Sequence, residues 1–110
     1  MGTSAPQYKL DVIGTIRSRE IKVDIDGADF VFDDNYRLRT VDDLEKFVKV
    51  NKHLPDVASA KEMKKNGADL GDLNSVLLQK IEELTLYMIK QNKKIIDLEK
   101  KMKSLGVVKK

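Results

Sequence analysis

Apolar residues alternate with polar ones between Tyr8 and Ile25: Tyr8, Leu10 and Val12 form one run, Ile21, Val23 and Ile25 another, with Ile13, Gly14 and Ile16 between them. A period of two predicts short β-strands, with Gly14 a candidate bulge. Phe30-Val31-Phe32 extends the expectation to a third short strand before the polar Asp33-Asp34-Asn35. Two or three such strands cannot bury their faces alone, since an isolated hairpin is marginal in water. Partner chains are therefore expected.

The period changes after residue 40. Thr40 followed by Asp43 reads as a capped helix start, and Val41, Leu44, Phe47 and Val48 then share one face. That helix should stop near Asn51 or Lys52, ahead of Leu54-Pro55. Ser59 with Glu62 repeats the capping pattern, and Asn66-Gly67 supplies a stop, giving a helix of about two turns that must dock on something. Phe30, Phe32, Leu44, Phe47, Val48 and Leu54 are the expected satellite core.

From Asp69, a plausible cap, the pattern becomes a heptad seam. With Ile81 as a, the a positions are Asn74, Ile81, Met88, Ile95 and Met102; the d positions are Leu70, Leu77, Leu84, Gln91, Leu98 and Leu105. A helix on the order of 50 Å long at about 1.5 Å per residue cannot bury this seam in a private core, so it is expected to pair with copies of itself. Ile at a with Leu at d favours a parallel dimer. Leu73 and Tyr87 at g and Leu78 at e widen the stripe, as a helix with two neighbours requires. Asn74 and Gln91 put amides in the interior, where a polar layer penalises shifted registers or is simply a tolerated defect.

These elements predict an α+β fold: short N-terminal strands, two short helices, and a long C-terminal helix in a coiled coil, for which the seam alone leaves dimer and trimer open. The expected divisions are a linker or cloning remnant at 1–7, a β-strand shaft segment at 8–34, a small helical cap region at 35–68, a coiled-coil helix at 69–106 and a tail at 107–110.

Composition narrows the chemistry. A chain of 110 residues has room for one domain; charged residues are 35%, aromatics 5%, and there is neither Trp nor Cys. Base stacking has little to use, and stability must come from packing or association. The net charge of +3 is uneven: residues 1–34 hold 4 basic and 7 acidic groups, 35–69 hold 8 and 6, and 70–110 hold 9 and 5. The basic final third could touch a polyanion, but its lysines alternate with acids as on a solvated helix face, and no nucleic-acid partner is expected. No apolar run is long enough to span a membrane, the first residues lack the pattern of a signal peptide, and no membrane insertion is expected.

Catalytic and metal-binding patterns are weak. His53 stands alone without cysteine, so no metal site, catalytic set or cofactor is expected. Asp24-Ile25-Asp26-Gly27-Ala28-Asp29 loosely resembles a calcium loop, but its Gly is early and the bidentate Glu is missing. Lys61, Lys64 and Lys65 form a small basic cluster on the short helix.

The run YKLDVIGTIRSREIKVD and the stretch beginning ADFVFDDNYRLRT, with NKHLP, SAKEM, NGADLGDLN and LLQKIEELTLYMI as its most specific parts, resemble the C-terminal region of tail-fibre-like proteins of Bacteroidota and their phages. The resemblance covers about residues 8 to 100. It implies a parallel, in-register homotrimer on a virion, a phage-tail-like particle, or a bacterial surface or secreted fibre. The layout is also similar to tail-spike intramolecular chaperone domains, which cut themselves off with a serine and a lysine. Their cleavage motif is absent, because Ser18 is followed by Arg19 and Glu20.

The expected function is thus non-enzymatic homotrimerisation and register setting at the end of a fibre, with a dimer as the alternative assembly. A receptor-binding tip and a self-cleaving chaperone are the alternative functions. If a tip binds a host cell-surface receptor, the candidates are Asp24, Asp26, Asp29, Lys52, His53, Lys61, Lys64 and Lys65, which a threefold axis would present three times.

Overall fold

A computed structural model of the chain describes residues 8–106; the linker expected at 1–7 and the tail at 107–110 lie outside the described residues. Three α-helices carry the fold: α1 (Val41–Asn51), α2 (Ala60–Asn66) and α3 (Leu70–Ser104). The molecule measures 77 × 32 × 28 Å with a radius of gyration of 21.4 Å, against about 13 Å for a compact chain near this length. The long axis exists because α3, at 35 residues, is about 52 Å long.

Local chemistry sets the helix ends. The Asp43 amide donates to Thr40 Oγ1 at 3.1 Å, and the Glu62 amide to Ser59 Oγ at 3.2 Å, so both predicted caps satisfy amides that the first turn leaves open. α1 ends on Lys52, which takes the left-handed conformation with φ 61°, and α2 ends on Gly67 at φ 73°. Asp69 occupies the cap position of α3 but makes no side-chain cap bond; its carbonyl accepts from the Leu73 amide at 2.9 Å.

The predicted strands are not formed, and the α+β assignment is corrected: among the described residues the regular elements are all helical. The alternating runs at 8–25 acquire no ladder; Ile13 is 91% and Ile21 65% exposed, while Val23 and Ile25 touch α3 at Gly71. Period two specifies an extended, two-faced segment but not a partner edge, and the single chain supplies none.

Phe30-Val31-Phe32 is also corrected. Asp29–Phe32 winds into a 3-10 helix, with the Val31 amide donating to the Ala28 carbonyl at 3.3 Å. In that geometry residues three apart lie on one face. Ala28 and Val31 are accordingly the buried pair, at 3% and 1% exposure, while Phe30 and Phe32 are about half exposed. The satellite core is thereby shifted: Leu44 and Phe47 are half-buried, Val48 and Leu54 are exposed, and Pro55 is buried. Phe47 instead packs edge-on against His53 at 5.6 Å and under the Arg39 guanidinium at 5.0 Å.

Candidate self-association surface

The chain wraps one side of α3. Residues 23–25 cross its first turn at Gly71, where a Cβ would come within 3.0 Å of Val23 Cγ1. The 3-10 helix follows and packs on α3. Leu44, Leu54 and Pro55 then line a pocket with Lys80, Glu83, Tyr87 and the seam residue Leu84 of α3. Val57 and Met63 meet Leu73 and Val76 across a groove between α2 and α3.

Placed on the heptad, this wrapping has a distinct sense. The covered positions of α3 are Gly71, Leu73, Ser75, Val76, Gln79, Lys80, Glu82, Glu83, Leu86 and Tyr87, which fall at b, c, e, f and g. Every a and d position from Leu70 through Asn74, Leu77, Ile81, Leu84, Met88, Gln91, Ile95, Leu98 and Met102 to Leu105 is exposed. The buried residues of α3 are charged ones, Lys80 and Glu82, while Ile81 between them is 59% exposed. The chain therefore covers the flank of the first half of α3 that lies away from the seam, apolar Leu73, Val76, Leu86 and Tyr87 together with charged Lys80, Glu82 and Glu83, and leaves the a and d side open.

The covered side is held by a polar network. Lys80 Nζ donates to Asp56 Oδ2 at 3.0 Å and to Glu83 Oε1 at 3.1 Å. Tyr36 Oη donates to Glu83 Oε2 and accepts from Gln79 Nε2 at 3.2 Å. Tyr87 Oη donates to the Arg39 carbonyl at 2.8 Å. Burial pulls the Lys80 ammonium down, but its hydrogen bonds to Asp56 and Glu83, with their charges, outweigh this and hold it above the ordinary lysine value. Burial and the bond to Glu83 push the Tyr36 hydroxyl up. Burial, then the nearby Asp29 carboxylate, pushes Glu82 up, and its Oε2 has no hydrogen-bond partner among the described residues.

Tyr87 is engaged by the Arg39 carbonyl, and Leu73 is half-buried and lines the chain's own α2–α3 groove. Leu78 at e, 38% exposed, remains beside the open seam. The pairing of Lys80 with Asp56 was not legible, since Asp56 lies 24 residues away in a loop with an ordinary surface composition.

The candidate tip residues fall in separate places. Asp24 lies at the Gly71 crossing, Asp26 borders a shallow cavity with Asp72 and Ser75, and Asp29 starts the 3-10 helix near Glu82. Lys52 and His53 follow α1, where His53 Nδ1 donates to the Leu54 carbonyl at 2.8 Å. Lys61, Lys64 and Lys65 sit exposed on α2. Among the described residues no cluster of three His, Cys, Asp or Glu side chains could hold a metal ion, and no helix is long and apolar enough to cross a membrane. Comparison with protein-family models, with curated proteins and with solved structures returns no match to this chain.

Proposed function

We propose that this chain is a non-enzymatic homotrimerisation and register-setting module, placed at the C-terminal end of a tail-fibre-like or surface fibre protein. One observation carries the self-association: the chain packs against the side of α3 away from the heptad seam, burying Lys80 and Glu82 there, and leaves every a and d position exposed. A monomer would gain by the opposite choice. The nine apolar a and d residues would contribute roughly 1.5 to 3 kcal/mol each on full burial, large beside a net stability of about 5 to 15 kcal/mol for a domain. Folding and assembly are then one event.

Three chains rather than two are favoured by Leu78, an apolar e residue beside the seam, and by the resemblance of residues 8 to 100 to fibre ends. The resemblance is also the support for the place on a virion, phage-tail-like particle or bacterial surface. Asn74 and Gln91 act as register markers, since an amide set opposite an apolar side chain is left unpaired. Sedimentation equilibrium tests the reading. A species of three times 12.5 kDa is expected; a folded monomer at micromolar concentration would overturn self-association, and a dimer would restore the Ile/Leu rule.

A further inference from the structure

We propose that each chain inserts its extended segment, residues 16–22, into the α2–α3 groove of the neighbouring copy, so that the assembly is closed by exchanged segments as well as by the seam. This rests on the parallel self-association just proposed. In a parallel coiled coil the e flank of each helix faces the g flank of its neighbour. Gly71 is an e position, and residues 23–25 of the same chain lie on it. Leu73 is a g position, and it lines the groove of about 180 Å³ together with Val57, Met63, Ala68 and Val76. The two features stand at the same end of α3 on opposite flanks of the seam. Parallel association therefore brings one copy's crossing segment against the next copy's groove.

Reach and chemistry agree with that placement. Helix axes in contact lie about 8 to 10 Å apart, and residue 21 is two positions from Val23, within about 7 Å along an extended chain. Ile16 and Ile21 are 62% and 65% exposed on their own chain, apolar side chains of a size to enter the groove. Arg17, Arg19 and Lys22 surround them with only Glu20 opposing, and the groove's rim carries Asp56, Asp69 and Asp72. Gly71 has a role in this arrangement: without a Cβ, the helix lets the segment cross its first turn at contact distance before reaching the neighbour.

The chain has no cysteine, so single thiols report proximity cleanly. Chains of residues 1–110 carrying Ile21→Cys and chains carrying Ala68→Cys are refolded together and oxidised, while the wild-type chain is sedimented in parallel. A disulfide joining residue 21 of one chain to residue 68 of another, identified by mass spectrometry of the dimer band, is expected. Ile21→Asp, which leaves the seam intact, should raise the concentration for half-assembly about tenfold or more. A wild-type trimer without the mixed disulfide, or with assembly unmoved by Ile21→Asp, overturns the exchange and leaves the trimer standing. A monomeric wild type overturns both.

Discussion

A methyl group on Gly71 would stand 2.9 Å from Cγ2 of Ile25, so the crossing of residues 23–25 over α3 depends on a missing side chain. Ala is worth about 1 kcal/mol over Gly inside a helix, while forcing an extra methyl into a close contact typically costs about 1 to 3 kcal/mol. Gly71→Ala is therefore expected to leave helix content unchanged and to gain no stability in urea melts. A full gain of about 1 kcal/mol would show that the crossing is loose.

Removing Lys80 should test the covered polar side. Glu83 is 16% exposed at its side chain and would lose its cation, while Asp56, at 61%, stays solvated. Lys80→Met is expected to cost about 2 to 3 kcal/mol, and Asp56→Asn less than about 1 kcal/mol. Because the Lys80 value is raised in the fold, its contribution is complete below the ordinary lysine value and is lost as pH rises through the raised one. Urea melts of wild type and Lys80→Met should thus differ by a constant amount through neutral pH and converge only in alkali.

Glu82 carries the opposite sign. Its carboxyl is raised by burial and by Asp29, so the ionised form weakens the fold and protonation strengthens it. Stability from this group grows as pH falls from the raised value toward the ordinary carboxylate value. Glu82→Gln should raise the melting temperature at neutral pH, with the gain shrinking across that acidic window. A gain independent of pH would assign the effect to some other cause.

Gln91 tests register. It is an exposed d position between Met88 and Ile95, and Gln91→Leu would turn a polar layer apolar. Thermal stability of the assembly should rise, by roughly 1.5 to 3 kcal/mol per chain if the new side chain is fully buried. Register should loosen in exchange. Disulfide mapping with single cysteines at successive d positions measures it: wild type should link only like to like, and the variant should also link neighbouring layers.

Much of this fold is written locally. The boundaries of α1 and α2 follow from Thr40, Ser59, Lys52 and Gly67, because capping acts over three or four residues and needs no distant partner. The length of α3 follows in the same way from its repeating apolar positions. What the tertiary structure alone decided is which side of α3 the chain keeps for itself. The alternation at residues 8–25 reads equally as a strand or as an unpaired extended segment, since a ladder depends on an edge elsewhere. Phe30-Val31-Phe32 is apolar throughout, so its composition does not distinguish a strand, which would present Phe30 and Phe32 together, from a 3-10 helix, which buries Ala28 with Val31. Lys80 and Glu83 read as surface charges until Asp56 and Tyr36 arrive from 24 and 47 residues away. Burying an ion is favourable only when its partners are in place, and their arrival is a property of the folded chain, as is the apolar seam it leaves open.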